Sequence, residues 1–222
     1  MFYLVGVEHS VQSIPPETAN HTTYRLCLEQ AIKNYKPAVV GEEYSEHALA
    51  RAAFVNRAPQ DYFTKLIAQK FNVEHALCDP DLKTRMKIGY QSRFCWTQLI
   101  DQLWNRVPDS ERDLLIAGLE IVKDIPIREQ YWLDQLKPFA GKEIIFVCGD
   151  SHIESFAGFL ESQGIPSTVV KREIGMTTEL KKQADSELQY AKMHRDRIEE
   201  IYQEILEDND GTIPPPNYPG IK

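Results

Sequence analysis

Short apolar runs, each closed by glycine or a carboxylate and separated by stretches of helical period, set the frame of this chain. Phe2-Tyr3-Leu4-Val5 and Ile144-Ile145-Phe146-Val147-Cys148 are the clearest runs, and both read as buried strands. Weaker strands are expected at Ala38–Val40, Glu74–Cys78 and Pro166–Lys171. Between them, helices are expected over His21–Tyr35 with Asn20 as N-cap, Ser45–Phe54, Pro59–Phe71, Gln91–Arg106 and Glu154–Gln163 with Gly164 just past its end. A longer helical pattern, Ser110–Leu136, should be divided or kinked by Pro126.

Strands alternating with helices predict an α/β fold: a mostly parallel central sheet flanked by helices. Beyond it lies a long charged helix, Thr178–Glu207. Its apolar positions Ala184, Leu188, Ala191, Ile198, Ile201, Tyr202 and Ile205 keep a helical period that is interrupted near His194 and Arg195. A helix this charged gains little from propensity, so its stripe should dock on the domain or on a second copy in a homo-oligomer. The expected organisation is one α/β domain over 1–177, the docked helix over 178–207 and an extended tail over 208–222 holding Pro214-Pro215-Pro216.

Composition changes this picture little. A chain of 222 residues, 42% hydrophobic and 26% charged, suits one sizeable core. No apolar stretch approaches the roughly 20 residues that span a bilayer, and the first residues do not read as a signal peptide. The expectation is a cytoplasmic protein with no membrane contact. The net charge of −8 argues against nucleic acid as a partner. Lys83, Arg85, Lys87 and Arg93 are a local exception, read as a solvated basic face with an anion-binding loop as the alternative. Cys27, Cys78, Cys95 and Cys148 lack C-x-x-C spacing and are expected as reduced thiols.

The chemistry gathers at strand ends. Gly6-Val7-Glu8-His9 follows the first strand and Gly149-Asp150-Ser151-His152 follows the fourth, a G-x-x-H written twice. Gly41-Glu42-Glu43 closes the second strand with paired carboxylates. In open α/β sheets that edge is where ligands bind. Two imidazoles and a carboxylate suit a catalytic divalent metal, Mn, Co or Zn, held by His9, Glu43 and His152 with positions left for water. Without a metal, one histidine serves as general base and a carboxylate fixes its tautomer. Either way Glu42 and Glu43 are both candidates, and Glu8 and Asp150 stand where they would orient the imidazoles. Each glycine is expected to let the backbone turn. Arg128, next to Glu129 on an apolar helix, would contact a ligand carboxylate or a developing oxyanion. His21, His47, His75 and His194 are assigned to surface or packing. A Cys78 or Cys148 thiolate paired with histidine is a minor alternative, and no P-loop, dinucleotide fingerprint or nucleophile elbow is present.

These motifs in this order resemble the superfamily that joins the erythromycin esterases, the ChaN-like haem-uptake proteins, the TraB/PrgY proteins and the Tiki metalloproteases. The resemblance covers roughly Phe2 to Lys171 and rests on Gly6, His9, Glu42 or Glu43, Arg128, Gly149 and His152. It implies an α/β fold, a site built on His9, Glu43 (or Glu42) and His152, and Arg128 as a substrate or transition-state contact. The activity it implies is hydrolysis, metal-dependent in the Tiki group and histidine-based in the esterases. The expected function is therefore a hydrolase acting on a small-molecule or peptide substrate. The rival is a non-catalytic binding protein, for example for haem, that uses the same histidines as ligands.

Overall fold

The computed structural model describes residues 1–12, 18–46, 62–103 and 106–215. Most of the helix expected at Ser45–Phe54, together with His47 and the start of the one expected at Pro59–Phe71, lies outside the described residues. The fold is α/β, and among the described residues it holds one five-stranded parallel sheet. The strands are β1 (Phe2–Val7), β2 (Val39–Glu42), β3 (Glu74–Leu77), β4 (Ile144–Gly149) and β5 (Ser167–Ile174), in the order β3-β2-β4-β1-β5.

The central strands are covered on both faces, which is why they read as continuous apolar runs rather than alternating ones. On one face Val5, Val7, Val40, Ile145 and Val147 pack with Tyr24, Leu28 and Ile32 of α1 (Ala19–Tyr35) and Ile67 of α2 (Phe63–Lys70). On the other, Phe2, Leu4, Ile144, Phe146 and Cys148 pack with Trp132 and Leu136, and with Phe156 and Leu160. The α1 helix starts earlier than expected, because Thr18 rather than Asn20 supplies the capping oxygen, accepting from the His21 N–H.

The chain divides into two compact units, Met1–Asp81 with Glu129–Thr177, and Leu82–Arg128 with Thr178–Lys222. This grouping departs from a single domain ending at 177, since residues 82–128 join the C-terminal helices instead of the sheet. The second unit is helical. It contains α3 (Leu82–Ile88), α4 (Ser92–Gln102), α5 (Asp109–Leu119), α8 (Thr178–Met193) and α9 (Arg195–Glu207). The sequence pattern does not predict α3, whose residues are nowhere buried and so carry no apolar period. Ala191, Ile198, Ile201 and Ile205 pack on Trp96, Ile100, Leu115 and Leu119, so this part of the apolar stripe of the terminal helices is covered within the chain, while Ala184 and Leu188 are half-buried. Each isoleucine so buried is worth roughly 1.5–3 kcal/mol.

The long helical pattern breaks as expected near Pro126. A π turn, Glu120–Asp124, separates α5 from α6 (Ile125–Leu136) and lets the Ile125 N–H reach back to the Glu120 carbonyl. The boundary between the units falls inside α6, between Arg128 and Glu129. Among the described residues the sheet unit also holds α7 (Ile153–Ser162). Among the described residues no helix is long and apolar enough to cross a membrane.

Candidate functional site

Strand order decides what meets at the sheet edge. The neighbours β2, β4 and β1 run parallel, with Val7 beside Gly149 and Glu42 beside Val147, so β1 and β4 end level and β2 ends two residues short of them at the same edge. His9 then opens a 3₁₀ turn, His9–Gln12, and His152 closes another, Asp150–His152. Glu43 continues β2 by one residue and donates its N–H to the Val147 carbonyl at 2.8 Å.

Strand alternation separates the paired carboxylates, because successive side chains leave opposite faces. Glu42 shares the face of Val40. Its Oε1 lies 2.7 Å from His75 Nε2 on β3, and its Oε2 accepts from Gln12 Nε2 at 3.2 Å. Glu43 turns towards β4 and β1. Its Oε2 accepts the Gly149 N–H at 2.6 Å, and its Oε1 lies 3.5 Å from His9 Nε2 and 3.6 Å from His152 Nε2. A single buried carboxylate oxygen thus faces the same nitrogen of both imidazoles.

The two rings differ in everything else. The His9 side chain is 47% exposed, and its Nδ1 lies 2.7 Å from Gln12 Oε1. The His152 side chain is 9% exposed and meets the Trp132 ring edge-on at 5.0 Å. Its Nδ1 faces Glu129 Oε1 at 3.8 Å, and the same oxygen accepts from Ser155 Oγ at 2.5 Å.

Both glycines of the doubled motif have ordinary negative backbone angles, so turning is not what they provide. They provide room. A Cβ on Gly149 would lie 2.9 Å from His9 Nε2, and one on Gly6 would run into Asp150 Oδ1 and come within 2.8 Å of Ile153. Each motif's glycine makes space for a side chain of the other motif or of the helix that follows it.

No protein-family model, curated protein or solved structure matches the chain.

What the site can do therefore rests on its geometry. Among the described residues no three His, Cys, Asp or Glu side chains are grouped so as to hold a metal ion. His9, Glu43 and His152, expected as ligands of Mn, Co or Zn, are brought together without forming such a group. A groove of about 760 Å³ beside α7 and β5 is walled by Ile153, Ala157, Ile165, Val169 and Arg172 among others, and neither His9 nor His152 lines it. Burial pushes the Cys78 thiol far above its ordinary range, which leaves it protonated and unfit as a nucleophile.

The remaining expected residues take other places. Glu8 Oε2 accepts from the N–H and hydroxyl of Ser10, capping the 3₁₀ turn instead of orienting an imidazole. Asp150 is spent on β5, accepting the Glu173 N–H at 2.7 Å and pairing with Arg172 at 3.1 Å. Arg128 belongs to the helical unit, where its guanidinium lies over the Tyr90 ring. Arg93 of the basic segment is paired within that unit to Glu120 and Glu187. The sequence pattern did not point to Gln12, Glu129, Trp132 or Ser155 as partners of the histidines, and it set His75 aside. One signal was available: Gln12 follows His9 at i+3, a spacing that a helical turn brings face to face.

Proposed function

We propose that the chain is a hydrolase in which His9 activates water, with Glu43 and His152 completing the site. The observation that carries this reading is the buried Glu43 oxygen placed 3.5 and 3.6 Å from Nε2 of two imidazoles, one open to solvent and one enclosed. His9 Nε2 takes a proton from water as the water oxygen bonds to the carbonyl carbon of an ester or amide. The same proton then passes to the leaving oxygen or nitrogen as that bond breaks. Between the two transfers the imidazolium stands beside the Glu43 carboxylate, a stabilisation that the neutral ring does not receive. His152, held by Trp132 and Glu129, presents its Nε2 to the same carboxylate oxygen and so fixes where Glu43 points. General-base catalysis of this kind supplies roughly 10²–10⁴-fold in rate. The order of the motifs is in keeping with the esterase-like members of the superfamily the chain resembles, which makes esters the first substrates to try.

The test is a panel of generic ester, peptide and phosphoester substrates, with and without Mn²⁺, Co²⁺ or Zn²⁺. His9→Ala and His152→Ala should each remove turnover, and the double variant should be scarcely worse than either, because groups acting as a unit are not additive. Turnover that survives both changes would refute the site. A haem Soret shift that His9→Ala abolishes, in a protein without turnover, would replace the hydrolase by the ligand-binding reading.

A further inference from the structure

The Gln12 amide joins two groups that differ in what they accept and donate, and this fixes the place of a proton. We infer that Glu42 and His75, acting through Gln12, hold His9 in the tautomer that carries its proton on Nδ1 and leaves Nε2 bare. The catalytic consequence rests on the hydrolase reading above; the tautomer itself does not.

Glu42 is fully enclosed and, as a carboxylate, only accepts. Its Oε1 therefore accepts a hydrogen bond from His75 Nε2–H at 2.7 Å, and its Oε2 accepts one from the Gln12 amide at 3.2 Å. The amide nitrogen of Gln12 must then face Glu42, which turns its carbonyl oxygen to His9. Gln12 is also fully buried, so it cannot swing out to exchange this arrangement for water. An amide oxygen donates nothing, so the 2.7 Å contact with His9 Nδ1 requires the hydrogen to sit on that nitrogen. In the neutral ring, Nε2 keeps its lone pair. That is the nitrogen 3.5 Å from Glu43 and the one a water-activating base needs. Free histidine in water favours the opposite tautomer, so the chain of three side chains has a measurable effect to impose. Glu42, Gln12 and His75 touch no reacting atom in this scheme; they are positioning residues. They come from β2, the turn after β1, and β3, so the carboxylate pair at the end of β2 divides its work: Glu43 faces the reaction and Glu42 sets the base.

The experiment is a long-range ¹H–¹⁵N spectrum of the histidine side chains in the full-length chain, with His9 assigned by its loss in His9→Gln. The expected neutral form has Nδ1 protonated and Nε2 bare. Glu42→Gln, of nearly the same shape, gives Gln12 a partner that can also donate, so the amide is free to turn and His9 should show both tautomers. Gln12→Leu, which leaves Nδ1 without its acceptor, should release the ring in the same way. In both variants kcat should fall about tenfold or more with KM unchanged, since an incorrectly protonated base binds substrate but does not take its proton. A wild-type ring protonated on Nε2 would overturn the inference, and so would a ring whose tautomer is unmoved by both substitutions. If Glu42→Gln does not fold, the wild-type spectrum and Gln12→Leu still decide. A fixed Nδ1–H tautomer in a protein that hydrolyses nothing would sink the hydrolase and leave the positioning chain standing. Hydrolysis by a ring protonated on Nε2 would do the reverse.

Discussion

Two carboxylates are buried to nearly the same degree, Glu43 in the sheet unit and Asp124 in the helical unit, and they are put to different uses. Asp124 accepts from the N–H groups of Gln91 and Ser92 and from the Trp96 indole at 2.7–3.1 Å, so it caps α4 from the π turn. Its partners are donors that never lose their protons in the working range of a protein. Glu43 accepts the Gly149 N–H on one oxygen, and its other oxygen faces two imidazoles, which do exchange protons. Burial alone therefore does not mark a functional carboxylate. What marks it is a partner able to change its charge.

The contrast can be broken by exchanging each acid for its amide. Glu43→Gln should lower kcat by roughly 10² or more, because the neutral amide no longer stabilises the His9 imidazolium. The outcome against the reading is wild-type kcat in a correctly folded Glu43→Gln protein. Gly149→Ala comes next. Its Cβ would stand 2.9 Å from His9 Nε2, so the ring must move away from Glu43, and activity should fall more than thermal stability does. Near-wild-type turnover with a displaced ring would show that the His9–Glu43 distance is immaterial. Asp124→Asn should behave in the opposite way, with activity unchanged and stability lower by about 1–3 kcal/mol, because the amide nitrogen cannot accept the hydrogen bonds it replaces.

Asp124 also carries a pH signature. Burial, opposed by its hydrogen bonds, raises its carboxyl from 3.8 to about 7. The folded chain thus holds a proton that the unfolded chain releases between these values. The stabilisation is complete below 3.8 and disappears as pH climbs through 7, so this group makes unfolding easier as pH rises. Urea titrations between pH 4 and 7 should show a downward slope that Asp124→Asn flattens. An identical slope in the variant would remove Asp124 as its source.

The sequence made the sheet legible because parallel strands covered on both faces must be apolar without interruption, as Ile144–Gly149 is. It made the meeting of His9, Glu43 and His152 legible because each lies just past such a run. It could not divide Glu42 from Glu43, since that depends on how far β2 extends before its alternation ends. The supposed symmetry of Glu8 and Asp150 misled for a related reason: β5 pairs with β1, and its Glu173 N–H and Arg172 draw Asp150 to themselves. Glu129 stood beside Arg128 in the pattern, and arginine looked the more chemical of the two. A hundred-degree step between adjacent helical residues turns them to different sides, and it is Glu129 that reaches His152 and Ser155.

The mutual fit of the doubled motif has a consequence for how such a chain can diverge. Gly6 is obligatory while Asp150 and Ile153 lie across it, and Gly149 while His9 does. Any lineage that shortens Asp150 gains licence to enlarge Gly6, provided Ile153 also yields, and one that gives up His9 can fill the place of Gly149. A change in one half of the site therefore alters which side chains the other half, far along the chain, has room for.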